Sequence, residues 1–164
     1  MKTLNSIVLL CICIGCGNSV DKKSSADDFI NQLKDGTYSN FTLPGFTEKD
    51  IPELLKYRNE TTLLVKFPSS GVASYAQKDC TLGVYVLWVI EAIRKEAAGE
   101  ALTAGYPSQL PLFRLRKVPT FTPVQSAESQ NVGAKAYYDW WNSGSGFERI
   151  KNTDPLEDTD FAWH

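Results

Sequence analysis

Between residues 26 and 164 apolar positions recur at helical spacing in four places, and only one short run alternates as a strand would. Ala26 to Lys34 is the first predicted helix: Phe29, Ile30 and Leu33 share a face, Ser25 stands at the N-cap, and Gly36 stops it. A second is predicted from about Asp50 to Arg58, with Asp50 and Glu53 as an acidic capping box, Pro52 in the tolerated first turn, and Ile51, Leu54 and Leu55 as its stripe. Thr61 to Phe67 suits a short strand or a short buried helix, and periodicity does not choose between them. Pro68 to Lys78 reads as loop. The longest helix is predicted from Cys80 to about Ala98, capped by Asp79 and ended by Gly99. From Leu82 to Ile93 it is apolar nearly all round, the character of a helix surrounded by other elements, so it is the expected central core helix. Gly105 to Pro123 holds four prolines and the alternating Phe113-Arg-Leu-Arg-Lys, and reads as an irregular segment crossing the surface. A fourth helix runs from about Ser126 to Asn142, turning Gly133, Ala134, Tyr137, Trp140 and Trp141 to the core. Residues 147–164 read as a tail: a helical turn at Phe147 to Lys151, then an acidic loop ending in Phe161-Ala-Trp163-His164. Together these elements predict a mainly α fold, a compact single-domain helical bundle with long loops over residues 26–164 and room for one short strand pair.

The N-terminus follows another pattern. Lys2 precedes an apolar run from Ile7 to Ile14, and Gly15-Cys16 closes it. The run is too short to span about 30 Å of hydrocarbon but suits the apolar region of a signal peptide. Its end resembles a bacterial lipobox, in which a small residue precedes the cysteine that becomes lipidated. Gly15 fills the small position and Cys16 the acceptor, while Cys13 stands where leucine is usual. Residues 1–15 are therefore expected to be a signal peptide, and residues 16–25 a lipid anchor and polar, flexible tether. Each acyl CH₂ buried in the bilayer contributes roughly 0.8 kcal/mol, so the membrane itself is an expected partner through the N-terminal lipid. The expected location is the bacterial cell envelope, with the domain held at the outer membrane; Asp21-Lys22-Lys23 does not assign the periplasmic or the surface face.

Composition narrows the chemistry. The 164 residues carry a net charge of −2, and the leader's Lys2 accounts for one of the positive charges. That mild acidity argues against nucleic acid as a partner. Of four cysteines, Cys11, Cys13 and Cys16 are N-terminal, so Cys80 stands alone in the body and a disulfide-stapled fold is excluded. His164 is the single histidine and the last residue, so Cys80 with His164 is the one thiol–imidazole combination an enzyme would have. The simpler reading makes Cys80 a small buried residue. Beyond the leader neither soft-ligand spacing nor HExxH occurs, and Asp154, Glu157, Asp158 and Asp160 lack the glycine turn of a calcium loop. No metal, cofactor or catalytic residue is assigned. Glu91 sits alone on an apolar helix, and pairing with Arg94 or Lys95 one turn on explains it. The 4 Trp, 7 Tyr and 8 Phe make aromatics the strongest feature outside the anchor. With Tyr137, Trp140 and Trp141 facing the core, Tyr138 and Trp163 are left to serve a surface, either as a stacking platform for sugar rings or as a partner hot spot. Arg114, Arg116 and Lys117 read as an exposed strand face, with anionic lipid headgroups the alternative.

Several segments together carry a resemblance: Phe67-Pro68, Ser74-Tyr75, Cys80, the block Leu82-Gly83-x-Tyr85-x-Leu87-Trp88-x-Ile90-Glu91-Ala92-Ile93-Arg94, then Tyr106-Pro107-Ser108-Gln109, Ala136-Tyr137-Tyr138-x-Trp140-Trp141, Asp154-Pro155-Leu156 and Trp163-His164. The set resembles an uncharacterised family of predicted lipoproteins from gut Bacteroidetes, catalogued as a domain of unknown function. The resemblance implies a cell-envelope lipoprotein with a compact helical domain, and a C-terminal Trp163-His164 that is docked and not frayed. It transfers no activity. The expectation is thus a lipid-anchored, non-enzymatic interaction or accessory domain for another envelope protein. The alternative is a polysaccharide-binding accessory lipoprotein using Tyr138, Trp163 and His164, and a third reading is a Cys80-dependent enzyme.

Overall fold

A computed structural model describes residues 25–69, 79–118 and 123–164. The leader, Cys16, the tether before Ser25 and the Ser74-Tyr75 pair lie outside the described residues. The first helix, α1, spans Ala26–Lys34, and Ser25 Oγ accepts the Asp28 N–H at 3.1 Å to cap it. A 3₁₀ turn, Glu48–Asp50, leads directly into the short α2, Ile51–Leu55. Strand β1, Leu63–Leu64, pairs antiparallel with β2, Cys80–Thr81. Helix α3, Leu82–Ala98, follows at once and ends at Gly99, whose φ of 73° is the left-handed stop expected of a glycine. Strand β3, Phe113–Leu115, lies between β4, Pro123–Val124, and the C-terminal β5, Phe161–Trp163, all antiparallel. Between β4 and β5 come α4, Ala127–Trp141, and α5, Phe147–Ile150.

The mainly α, helical-bundle expectation is therefore corrected. Among the described residues about 42% are helical and 11% are in strands, in five helices and two small sheets, a mixed α/β domain. Three segments account for the difference. Cys80-Thr81, expected inside the long helix, is a strand, and Thr81 takes the N-cap position that Asp79 was expected to fill. The irregular Gly105–Pro123 segment supplies β3, and the expected C-terminal tail supplies β5. Apart from the brief alternation that contains β3, strands of two or three residues carry no periodicity of their own. They form because a distant segment satisfies their backbone groups, as when Phe113 pairs with Trp163 across the sheet. The second helix is also shorter than Asp50–Arg58: it is entered through the 3₁₀ turn, where the Thr47 N–H donates to Asp50 Oδ2 at 2.7 Å, and it leaves in turns, with Tyr57 N–H on Leu54 O and Arg58 N–H on Leu55 O.

Every residue from Leu82 to Arg94 is buried, so α3 is the axis about which the other elements pack. One contiguous core joins α1 through Phe29, Ile30 and Leu33, α2 through Ile51 and Leu54, and the C-terminal segment through Leu156 and Phe161. Two glycines permit the closest approaches. A Cβ on Gly83 would stand 2.5 Å from Arg58 O and 2.9 Å from Glu60 O, and one on Gly133 would stand 2.5 Å from Phe113 Cζ. The first lets the chain after α2 lie on the start of α3, where Gln130 bridges Thr81 Oγ1 (2.9 Å) and Glu60 O (3.0 Å). The second seats β3 against α4.

Replacing Gly83→Ala forces a methyl against two backbone oxygens. We expect a loss of about 1–3 kcal/mol in urea unfolding. Gly45→Ala, with nothing within 4 Å of the new Cβ, should stay within about 0.5 kcal/mol of the parent.

Candidate functional site

The polar chemistry of the interior gathers where α3, α4 and β5 meet. Glu91 and Arg94 are one turn apart on α3 and only 2% and 4% exposed. Their contact is bidentate: Arg94 Nη2 donates to Glu91 Oε1 at 2.9 Å and Nε to Oε2 at 3.0 Å. Arg94 Nη1 reaches Glu100 Oε1 (2.9 Å) and the Lys151 carbonyl (2.7 Å). The Tyr137 hydroxyl of α4 donates to Glu91 Oε2 at 2.7 Å and accepts the Trp163 indole N–H at 2.8 Å. Glu91 thus accepts three hydrogen bonds, the number a buried carboxylate needs to remain inside. Burial opposes the charge on Arg94, but hydrogen bonds and attraction from Glu91 and Glu100 outweigh it and raise its pKa further. Burial raises the Tyr137 pKa well above the usual phenol, and the Glu91 charge adds to it. A hollow of about 320 Å³ opens beside this cluster, walled by Glu91, Arg94, Lys95, Glu100 and Trp163.

The residues singled out for binding do not form one surface. Tyr138 is 45% exposed on α4, and the Arg58 guanidinium lies 4.4 Å from its ring centroid. Trp163 belongs to β5, its ring 4.6 Å from Phe113 and 6.2 Å from Tyr137. His164 is held by its backbone, with its N–H on Leu112 O (3.0 Å) and its carbonyl accepting from Gln109 N (3.1 Å). The Trp163-His164 end is therefore docked, as the resemblance implies. Cys80 is fully buried, its thiol donating to Pro111 O at 3.4 Å, and burial pushes its pKa far up. That is the reverse of the environment that activates a cysteine. Among the described residues no group of three or more His, Cys, Asp or Glu is arranged to hold a metal ion.

A second feature carried no sequence signal of its own. Along one side of α4 the half-buried Val132 and Ala136 and the edge of the buried Trp140, spaced i, i+4 and i+8, face the segment 150–159 across a groove of about 540 Å³. It adjoins a further hollow of about 480 Å³ that shares Val132, Asp158 and Thr159 and reaches β3 and β4 at Leu115 and Val124. Arg116 gives the outer wall its shape. Its Nη2 lies 3.0 Å from Asp154 Oδ2, from Leu156 O and from Phe161 O, tying the acidic segment to β3. Lys117 pairs with Asp160 (3.7 Å), and Arg114 Nε donates to Trp163 O (3.3 Å), so the basic trio is engaged by the C-terminal segment. The acids after α5 were visible in the chain, but nothing local placed them opposite Val132 and Ala136 of α4.

The fold and the two features define a small mixed α/β domain with an internally satisfied ionic core and an open, acid-walled groove along one helix. The family described as a domain of unknown function (DUF4943) matches residues 21–164, and the chain belongs to it. Neither a curated protein nor a solved structure matches the chain.

Arg94→Leu leaves the Glu91 carboxylate buried without its counter-ion and should lower stability by about 3–5 kcal/mol in urea unfolding. The double variant Glu91→Leu/Arg94→Leu should recover part of that loss, a non-additivity that a double-mutant cycle reads directly. A second expectation concerns pH. Burial raises the pKa of Cys80, Tyr85 and Tyr137 above their ordinary 9.0, 10.0 and 10.0. The unfolded chain therefore loses these protons first as pH rises. The stability these groups contribute should be fully present well below pH 9 and fall from about pH 9 upward, by up to about 1.4 kcal/mol per pH unit for each group titrating. Urea midpoints measured from pH 7 to pH 11 check this.

Proposed function

We propose that the protein is an envelope lipoprotein of the gut Bacteroidetes type, anchored in the outer membrane by acylated Cys16, whose domain is a non-enzymatic interaction module for another envelope protein. The observation that carries the interaction reading is the contrast between the two features above. Glu91, Arg94, Tyr137 and Cys80 each end on an internal partner, whereas the groove on α4 is open and faces outward. The anchor reading is supported by the apolar run Ile7 to Ile14 and the Gly15-Cys16 junction that closes it. No helix among the described residues is long and apolar enough to cross a membrane. Polysaccharide binding through Tyr138, Trp163 and His164 draws less support, because Trp163 packs on Phe113 and Tyr137 while Arg58 covers a face of Tyr138. A Cys80-dependent activity draws less still, given that thiol's burial.

The anchor is tested by Cys16→Ser in intact cells. The parent chain should incorporate a clickable palmitate analogue and fractionate with membranes, and the variant should lose both, with unchanged circular dichroism. Label retained on Cys16→Ser would overturn the assignment. Crosslinking in the same cells, read by mass spectrometry, should return protein adducts to the domain.

A further inference from the structure

The walls of the α4 groove say what kind of partner fits it. Its floor is the apolar stripe of Val132, Ala136 and Trp140, and Trp140 is fixed in place by its indole N–H on Ile150 O at 2.8 Å. Its two connected hollows are lined by six carboxylates and one cation, Lys135. Lys135 is already paired with Asp139, Arg116 with Asp154 and Lys117 with Asp160. Glu128, Glu157 and Asp158 remain, all exposed and without an ion pair among the described residues. A surface of this kind, apolar along its floor and net negative along its rim, is complementary to a ligand that is apolar and cationic at once. Its length matters too. Helix α4 has 15 residues and spans about 22 Å, the reach of roughly seven extended residues, which suits a stretch of polymer better than a compact small molecule.

We infer that this groove docks a basic, amphipathic segment of a partner protein, its aliphatic side chains on the Val132–Ala136–Trp140 stripe and its lysines or arginines against Glu128, Glu157 and Asp158. The inference rests on the interaction reading above and names the chemistry of the partner. A neutral polysaccharide would leave the three carboxylates without counter-charges, and a nucleic acid or anionic lipid surface would be repelled by them.

The test uses the full chain in detergent and fluorescein-labelled peptides of roughly ten residues, followed by fluorescence anisotropy. One peptide alternates lysine with leucine, a second glutamate with leucine, a third lysine with serine. The lysine–leucine peptide should bind at least about tenfold more tightly than either of the others, and should weaken in about 0.5 M salt. Glu157→Lys/Asp158→Lys should lower its affinity by about tenfold or more, whereas the same charge change at Asp35→Lys/Glu48→Lys, on other elements, should leave it within about twofold. Ala136→Arg, checked for unchanged circular dichroism, should abolish binding by filling the floor. Equal binding of the lysine–leucine and glutamate–leucine peptides would overturn the inference, as would equal binding of lysine–leucine and lysine–serine. So would equal losses from the two charge-reversed variants. A chain that crosslinks to a protein in cells but ignores the lysine–leucine peptide would sink the groove assignment alone and leave the interaction reading standing.

Discussion

The constraint on which the rest of the structure depends is the burial of a charge pair on the central helix. Leu82 to Arg94 are enclosed without a break, so α3 has no solvent face on which Glu91 and Arg94 could lie. The pair must then be satisfied by whatever packs around it. Helix α4 brings the Tyr137 hydroxyl, β5 the Trp163 indole, and the turn after α5 the Lys151 carbonyl. Buried ion pairs add little net stability over apolar residues of the same shape, but they are severe about geometry, since a missing partner leaves an uncompensated charge. The rotation of α4, the seating of the C-terminal strand and the course of the chain after α5 are tied together at one carboxylate.

That tie explains how α4 serves two surfaces. Its inward side carries Gly133, Ala134 and Tyr137, and the glycine is needed because the Phe113 ring occupies the space a side chain would take. With that side held, the stripe of Val132, Ala136 and Trp140 must face the segment after α5. Arg116 holds that segment at a distance by binding its carbonyls and Asp154. The groove is thus a by-product of core packing on one wall and of a single well-placed arginine on the other. Part of its charge comes from the exposed Glu128, Glu157 and Asp158, which make no ion pair among the described residues.

Much of the helical architecture could be read from the chain alone. The bounds of α1, the cap at Ser25, the stop at Gly99, the start of α4 near Ser126 and the inward face of α4 all rest on local rules: spacing of apolar residues, side chains that accept the first free N–H groups, and glycine where φ turns positive. The i,i+3 pairing of Glu91 with Arg94 belongs to the same class, because one helical turn is enough to specify it. The strands were legible only in part, Thr61 to Phe67 as a strand or a buried helix and Phe113 to Lys117 as a brief alternation, for the complementary reason. Leu63-Leu64 and Phe161-Ala-Trp163 contain too few residues to show alternation, and each becomes a strand only when a partner far along the chain arrives. The candidate binding residues divided in the same way. Tyr138 on the outside of a predicted helix was found exposed, but Trp163 could not be assigned to surface or interior before its sheet existed.

What the sequence determined by itself is therefore what neighbours within a turn or two govern: the presence of the main helices, several of their ends, and the apolar core helix. The tertiary structure alone decided the mixed α/β class, the Tyr137 hydroxyl on Glu91, the docking of Trp163 and His164, and the meeting of the α4 stripe with the acids at 154–160. The reason is physical. Local propensities act through bonds and contacts a few residues long, whereas a buried charge, a short strand and a groove wall are defined by groups from distant segments, whose meeting is fixed only when the whole core closes.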